Sequence, residues 1–261
     1  MTGEFSTGWL ALREPADAEA RAGDLLDPLR SALTGRAELV IRDLGCGTGS
    51  LGRWLAPQLP GPQHWIMQDR DPALLAYAAA HLPAAAGVTV ETRLGDVTAL
   101  TAADLADTDL VTCSALLDIL TAAEVEALAA ACAGARCAAL LTLSVLGEVR
   151  IEPADPLDAD VTAAFNAHQR RADSGRPLLG PGAAEAARRA FTAAGASVQV
   201  AASPWRLGRD RSALTAEWLT GWLDAAAEER PDLPIDSYRQ RRQASDLVVT
   251  VGHSDVLAVF H

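Results

Sequence analysis

The sequence contains no lysine, and its basic residues are outnumbered by its acidic ones. All 22 basic residues are arginine, against 34 aspartates and glutamates, so the formal net charge is −12. We interpret the absence of lysine as a compositional bias of the genome. A chain with this excess of negative charge has no general attraction for phosphate backbones. The composition therefore disfavours nucleic acid as a partner or substrate.

Long apolar runs are also missing. The most apolar window, residues 127–147, is interrupted by Arg136 and divides into an alanine-rich helix and a buried strand over residues 137–145. That strand is far shorter than the roughly 20 apolar residues that a membrane-spanning helix needs. The first residues lack the charged and then apolar pattern of a secretory signal. We therefore expect a cytoplasmic protein without a membrane partner.

Cysteine is scarce, with four residues in a chain of 261. Cys46, Cys113, Cys132 and Cys137 show neither the spacing of a metal site nor that of a disulfide framework. We expect reduced, structural thiols and no bound metal. The length and the hydrophobic content of 49% suit one α/β domain with a large core.

The most informative feature that is present is a short apolar run followed by glycines at alternate positions. Residues 40–44 include Asp43, and Gly45, Gly47 and Gly49 follow. Glycine allows a positive φ and lets the backbone approach a ligand without a Cβ in between. A strand, an acidic tip and a glycine turn are how an open α/β sheet binds a nucleotide-like ligand.

Two kinds of ligand fit this turn. Residues 47–52 also match the G-x-G-x-x-G pattern of dinucleotide-binding folds, and Asp69 follows at about the distance that this pattern expects. A pyrophosphate against the turn would be repelled by the carboxylate of Asp43. A ligand that carries an ammonium or sulfonium group would be attracted to it.

Polar residues also stand at the ends of the next predicted strands. These strands are predicted over residues 64–69, 88–92 and 109–114, and the second of them has alternating apolar residues. Asp69 ends the first of them, Asp96 follows the second, and Ser114 ends the third. Because parallel strands end at one edge of a sheet, these side chains are expected to surround one ligand.

In this order the motifs resemble those of the class I S-adenosylmethionine-dependent methyltransferases. The first motif of that family has an acidic residue followed by alternate glycines, which correspond here to Asp43, Gly45, Gly47 and Gly49. The resemblance covers residues 40–145. It implies S-adenosylmethionine as the cofactor and S-adenosylhomocysteine as the product.

The resemblance also implies a role for each strand end. Asp69 would accept hydrogen bonds from both ribose hydroxyls, because an ionised carboxylate only accepts. Asp96 would accept from the adenine amino group, and the backbone N–H of Val97 would donate to a ring nitrogen. Arg70 and Ser114 complete the implied cofactor site, with Ser114 beside the transferring methyl.

The implied fold is a Rossmann-like, seven-stranded, mostly parallel sheet in the order 3-2-1-4-5-7-6, with helices on both faces. Residues 1–36 would form a helical segment over the cofactor, and residues 37–261 the methyltransferase domain. Substrate-side insertions, including a helical lid, would lie at about residues 147–182 and 206–245. Arg13 and Arg21 are candidates to bind the carboxylate of the cofactor, with solvated helix-face arginines as the alternative.

Periodicity and turn signals predict the remaining elements. The predicted helices cover residues 17–33, 73–82, 158–171, 183–194 and 212–227, and a capping box at residues 121–124 begins another. The predicted strands cover residues 197–202, 247–251 and 256–260. The last two lie on either side of Gly252 and His253 and would close the sheet in antiparallel orientation.

Two residues are candidates for a catalytic base, which is needed only if the acceptor must lose a proton. His168 shares the apolar face of the predicted helix 158–171, which would look towards the cofactor. Asp118 follows the fourth strand. The alternatives are a half-buried structural histidine and a helix cap. Trp205, Trp218 and Trp222 are expected in the core rather than in an acceptor pocket.

The segment after the fourth strand also bears on the substrate. Amino methyltransferases that act on DNA bases or glutamine carry Asn/Asp-Pro-Pro-aromatic there, whereas residues 112–118 read TCSALLD. Together with the acidic composition, this favours a small, largely apolar metabolite as the acceptor, in specialised metabolism. We expect the enzyme to be a monomer or homodimer. The alternatives are a same-fold enzyme that uses S-adenosylmethionine without simple methyl transfer, a NAD-type reductase, and a non-catalytic cofactor-binding protein.

Overall fold

The computed structural model describes residues 6–82 and 87–261. Its strands are β1 (Leu39–Leu44), β2 (Gln63–Asp69), β3 (Val88–Leu94), β4 (Leu110–Ser114), β5 (Ala138–Glu152), β6 (Ala172–Asp173), β7 (Arg176–Pro177), β8 (Ser197–Ala202), β9 (Trp205–Leu207) and β10 (Val248–Val259). Its helices are α1 (Thr7–Ala20), α2 (Leu26–Ala32), α3 (Ser50–Leu55), α4 (Pro72–His81), α5 (Ala122–Ala135), α6 (Asp158–Gln169), α7 (Ala183–Ala193), α8 (Ser212–Glu229) and α9 (Ile235–Gln243).

The strands β1 to β5 are parallel, and β10 is antiparallel to its neighbours β5, β8 and β9. The order across the sheet is β3-β2-β1-β4-β5-β10-β8. Because β8 is the sixth and β10 the seventh predicted strand, this confirms the order 3-2-1-4-5-7-6. The carboxyl ends of β1 to β4 therefore meet at one edge, as the sequence predicts.

Helices pack on both faces of the parallel strands. On one face, Leu29 of α2, Leu51 of α3 and Leu75 of α4 belong to one cluster of buried apolar side chains. On the other face, Val125 of α5 and Phe191 of α7 belong to a second cluster. Burial on both faces is the reason that the central strands β1, β4 and β5 are mostly apolar where they are buried.

The N-terminal segment differs from the single helix predicted over residues 17–33. α1 begins earlier and ends at Ala20, and α2 begins only at Leu26. Between them Arg21 has an extended backbone, and the backbone N–H of Ala22 donates to the Asp255 side chain at 2.8 Å. The break exists because a carboxylate from the far end of the chain takes the N–H of residue 22.

The end of the chain also differs from the prediction. Two strands around Gly252 and His253 were expected, but β10 is one continuous strand that pairs along most of β5. Gly252 is not a turn residue, since a Cβ there would lie 2.9 Å from the Cβ of Glu148 on the neighbouring strand. The glycine permits a close approach of two strands, and shifts of register on either side of residues 253–254 absorb the irregularity.

The segments after β5 form a third buried cluster. It includes Trp205 from β9, Trp222 from α8 and Tyr238 from α9, while Trp218 packs against it from the side. The rings of Trp218 and Trp222 stack with centroids 5.2 Å apart, which confirms that these tryptophans belong to the core. The β6–β7 hairpin, β9 and α9 have no counterpart in the sequence prediction. Within the described ranges no helix has both the length and the apolar character needed to cross a bilayer.

Candidate active site

The turn after β1 has the left-handed backbone that its glycines predict. The φ angles of Gly45, Gly47 and Gly49 are +59°, +54° and +82°. A Cβ on Gly49 would lie 3.2 Å from the Cβ of Ala78 on α4, and one on Gly45 would lie 3.0 Å from Leu116. The turn therefore requires glycine both for its conformation and for its packing.

Asp43 lies at the end of β1 and is 1% exposed. Its Oδ1 accepts a hydrogen bond from Thr112 Oγ1 of β4 at 2.8 Å, whereas its Oδ2 is buried and accepts none from the described residues. Burial raises the pKa of Asp43 to about 7, against the opposing effects of the Thr112 hydrogen bond and the Arg21 charge. A cationic group in the site would satisfy the free oxygen and favour the ionised form.

Asp69, at the end of β2, connects its strand to the glycine turn. Its Oδ2 accepts from the backbone N–H of Gly47 at 2.8 Å, and its Oδ1 accepts from that of Asp71 at 3.0 Å. Asp96 follows β3, and its Oδ1 accepts from both the N–H and the hydroxyl of Thr98 at 2.8 Å. These bonds lower the pKa of Asp96, so it is ionised at neutral pH, with Oδ2 available to a ligand.

A cavity of about 890 Å³ opens at the carboxyl ends of β1 to β4. Eight of the nine predicted cofactor residues line it: Asp43, Gly45, Gly47, Asp69, Arg70, Asp96, Val97 and Ser114. The ninth, Gly49, is not part of the lining and packs against Ala78 of α4. The structure thus brings the strand ends together around one space, as the parallel topology requires.

The helix α1 contributes Leu10, Arg13 and Asp17 to the same lining. The guanidinium of Arg13 forms two hydrogen bonds to the Asp17 carboxylate, at 2.9 and 3.2 Å, and lies 4.9 Å from the centroid of the Trp205 ring. The Trp205 indole N–H donates to Asp17 at 2.9 Å. Arg13 therefore already has a carboxylate partner.

Arg21, which follows α1, is not part of the lining but binds two residues that are. Its side chain is 4% exposed, and its Nη2 donates to the hydroxyls of Ser50 and Ser114, at 3.2 and 3.3 Å. Its Nε and Nη1 are buried and have no hydrogen-bond partner among the described residues. Burial lowers the pKa of Arg21, while the nearby carboxylates Asp17, Asp255 and Asp43 raise it. An anionic group beside it would satisfy the free donors.

The rest of the lining includes an apolar wall and a second ion pair, both of which sequence reasoning missed. The apolar wall consists of Leu10, Leu116, Ile119 and Leu120. Arg176 of β7 donates to both oxygens of Glu124, at 2.8 and 2.7 Å. The predicted capping box is present at the start of α5, where the backbone N–H of Thr121 donates to Glu124 at 2.8 Å, but it does not indicate Arg176 as a partner.

The two predicted bases lie in different places. Asp118 lies in the turn between Leu117 and Ile119, next to the apolar wall, although it is not itself part of the lining. Burial raises its pKa to about 6, with Arg13 opposing this effect. The structure therefore leaves Asp118 close to the cavity.

The structure does not bring His168 to the cavity. Its Nε2 lies 3.0 Å from the carboxylate of Glu228, and its ring contacts Arg171. The prediction that His168 faces the cofactor is wrong, because the helix that carries it, α6, packs on α8. Among the described residues, no group of His, Cys, Asp and Glu side chains is arranged to hold a metal ion.

Residues 41–135 match the family model described as "Methyltransferase domain". This segment is a methyltransferase domain. The match confirms the family, the enzyme class of S-adenosylmethionine-dependent methyltransferases and the cofactor predicted from the strand ends. It removes the NAD-type reductase from the alternatives.

No curated protein sequence matches the chain. A cyclopropane synthase from Mycobacterium tuberculosis is similar in structure at 13% identity, with a TM-score of 0.55 over 98% of this chain and 95% of that one. A methyltransferase from Thiobacillus denitrificans, in complex with S-adenosylhomocysteine, is 18% identical, with a TM-score of 0.46 over 98% of this chain and 100% of that one. At these identities the likeness concerns the fold alone.

Proposed function

We propose that this methyltransferase acts on a small, uncharged and largely apolar acceptor, at an oxygen, nitrogen or carbon atom. When bound, S-adenosylmethionine supplies an activated methyl group, so the protein mainly has to align the acceptor with it. The observation that carries the proposal is the apolar wall of the cavity. The charged side chains beside it in the lining are already paired, Arg13 with Asp17 and Arg176 with Glu124.

Two groups of opposite charge support the placement of the donor. Asp43 keeps a buried oxygen free, and Arg21 keeps two buried donors free. We assign the ammonium of the donor to Asp43 and its carboxylate to Arg21, because buried polar atoms of each sign are costly without a partner. Arg13, which shares this candidacy, is occupied by Asp17.

The remaining donor contacts follow the strand ends. Asp69 is assigned to the ribose hydroxyls, and Asp96 with the backbone N–H of Val97 to the adenine. Gly45 and Gly47 allow the close approach of the turn, and their positive φ angles support this assignment. Arg70 and Ser114 border the same space.

Two ion pairs in the lining favour an acceptor without charge. Arg13 with Asp17, and Arg176 with Glu124, leave no net charge on that part of the lining. A charged acceptor would have to separate one of these pairs or lose its hydration without a partner, and both are unfavourable. A neutral acceptor meets neither cost and gains from contact with the apolar wall.

Asp118 is the proposed proton acceptor when the acceptor carries a hydroxyl group that must lose its proton. Its pKa, raised to about 6, is closer to neutral pH than that of an ordinary aspartate, which makes it a stronger base that is still ionised at pH 7. His168 is not retained for this role, because it lies with Glu228 away from the lining.

The wider assignments stay proposals of the same kind. All four cysteines are free thiols, which supports a cytoplasmic location. The net charge of −12 supports the exclusion of nucleic acid as a partner. We propose a monomer or homodimer. In the segment predicted over residues 1–36, the structure describes residues 6–36, and we propose that these cover the donor. The insertions at about 147–182 and 206–245 would lie on the substrate side.

The test is turnover with a panel of small hydroxy and amino compounds, each supplied in a neutral and a charged version. S-adenosylhomocysteine and the methylated acceptor are both measured by mass spectrometry. Methylation of neutral members supports the proposal, and methylation confined to charged members contradicts it. Formation of S-adenosylhomocysteine without a methylated acceptor would favour the same-fold alternative, and binding without turnover a non-catalytic protein.

A further inference from the structure

Arg53 of α3 contacts two separate parts of the cavity wall. Its Nη1 donates to the backbone carbonyl of Thr48, in the glycine turn, at 2.5 Å. Its Nε and Nη2 donate to the two carboxylate oxygens of Glu14 in α1, at 2.7 and 2.6 Å. One guanidinium thus binds the turn on one side and the covering helix on the other.

The geometry of this contact makes it stronger than an ordinary surface pair. The planar guanidinium presents parallel N–H donors that match both oxygens of one carboxylate. The side chains of Arg53 and Glu14 are 19% and 29% exposed, so solvent screens them only in part. If either partner moves, at least two charge-assisted hydrogen bonds are lost together.

Both ends of the contact border the ligand space. Thr48 is buried and lines the cavity. Leu10 and Arg13 of α1, which come shortly before Glu14, line it as well. A displacement of α1 would therefore pull on the carbonyl of the glycine turn through Arg53. A rearrangement of the turn would in the same way loosen α1.

We propose that Arg53 is a positioning residue that couples the closure of α1 over the cavity to the conformation of the glycine turn. Donor binding, which needs the ordered turn, then also favours the closed helix, and the closed helix favours donor binding. This inference rests on the proposed donor site and extends it to a contact that does not touch the donor.

The experiment compares Arg53→Gln, Glu14→Gln, the double variant and Arg53→Lys with the unchanged protein. Affinity for S-adenosylhomocysteine is measured by calorimetry. Opening of α1 is measured as the rate of trypsin cleavage after Arg13, with and without S-adenosylhomocysteine. The control is Arg188→Gln, which removes an arginine bonded to both oxygens of Glu185 in α7, far from α1 in the chain.

We expect Arg53→Gln to weaken binding roughly tenfold or more, as for the loss of charge-assisted hydrogen bonds, and to abolish the protection by ligand. Glu14→Gln should weaken binding less, because Arg53 can still hold Thr48. In the double variant Glu14→Gln should add nothing to Arg53→Gln, since the partner is already gone. Arg53→Lys keeps the charge but not the fork, and should fall in between.

Three results would overturn the inference. In the first, Arg53→Gln binds S-adenosylhomocysteine, and is protected by it against trypsin, as well as the unchanged protein. In the second, the effects of Arg53→Gln and Glu14→Gln on affinity add in full in the double variant. In the third, trypsin cleavage rises equally with and without ligand, as expected for a merely structural pair. If Arg53→Gln does not fold, Glu14→Gln and Arg53→Lys decide by the same criteria. Failure of the unchanged protein to bind S-adenosylhomocysteine would contradict the donor site itself.

Discussion

The parallel and antiparallel halves of the sheet each contain an aspartate that is almost completely buried, and these two aspartates are used differently. Asp43 and Asp255 are both 1% exposed. Asp255, in β10, accepts from the Leu143 N–H at 2.7 Å and the Ser203 hydroxyl at 2.6 Å, besides the N–H of Ala22. Asp43 accepts a single hydrogen bond, from Thr112. One carboxylate is saturated by its own chain, whereas the other keeps an oxygen for a ligand.

The partners of Asp255 explain why the antiparallel half needs it. Leu143 has a φ of +55°, which is the left-handed region that a residue with a Cβ rarely adopts. Asp255 accepts from the N–H of Leu143, from Ser203 just after β8, and from the N–H of Ala22 just after α1. It therefore holds together three segments that are far apart in the sequence, whereas Asp43 belongs to a motif that is local.

The largest expected effect is on the stability of the Asp255→Ala variant. Removal of the carboxylate leaves three buried donors without an acceptor, at about 1–3 kcal/mol for each unsatisfied group. We expect a loss of about 3 kcal/mol or more in the free energy of unfolding, measured by urea denaturation. Ser203→Ala removes one donor and is the matched control, with an expected loss of about 1 kcal/mol. Equal stability of Asp255→Ala and the unchanged protein would show that the carboxylate is not structural.

The Asp43→Asn variant should show the opposite pattern. The amide can still accept from Thr112 but carries no charge for an ammonium, so binding of S-adenosylhomocysteine should weaken roughly tenfold to a hundredfold. Its stability at pH 8 should be unchanged or higher, because no charge is then buried in the free protein. Calorimetric titration and urea denaturation of one preparation measure both quantities. A variant that is unstable but binds normally would reverse the roles of the two aspartates.

A smaller effect is expected on the pH dependence of binding. The pKa of Asp43 is raised to about 7 in the free protein, so its carboxyl is increasingly protonated as the pH falls through 7. Affinity for S-adenosylhomocysteine should then decrease, by at most tenfold per pH unit, and Asp43→Asn should remove this dependence. A slope that persists in the variant would assign the titration to another group.

The same pKa has a consequence for the free protein. Because the pKa of Asp43 is higher in the folded than in the unfolded chain, its neutral form contributes stability below the unfolded pKa, and this contribution is lost as the pH rises through about 7. Ligand affinity should therefore increase over the pH range in which the contribution to stability decreases. Urea denaturation of the unchanged protein and Asp43→Asn at pH 5.5 and pH 8 measures the difference.

The comparison of the two aspartates also explains what the sequence could predict. Asp43 and Asp69 lie at the ends of β1 and β2, and Asp96 comes two residues after β3. A local pattern therefore locates them, and the parallel topology brings them together. Asp255 and the pair of Arg176 with Glu124 depend on partners more than 50 residues away. Nothing in their local sequence indicates these contacts.

The wrong strand boundaries have a similar cause. Gly252 resembles a turn residue in the sequence, but its neighbour across the sheet, Glu148, is what requires a residue without a Cβ. The periodicity of residues 158–171 likewise identified the apolar face of α6 correctly. It could not specify that the face packs on α8 rather than over the cavity.

The smallest effect is expected for His168→Ala, which separates the core of the insertion from the site. The ring pairs with the exposed carboxylate of Glu228, and solvent screens such a pair, so it contributes little. We expect a modest loss of stability, mainly from the lost packing of the ring, with unchanged affinity for S-adenosylhomocysteine. With any acceptor that is turned over, we expect an unchanged pH profile. Asp118→Asn is the matched comparison, because its pKa of about 6 predicts a fall of the rate below that pH in the unchanged protein only. A normal rate for Asp118→Asn together with a reduced rate for His168→Ala would mean that α6 leaves α8 during turnover and that the insertion after β5 supplies the base.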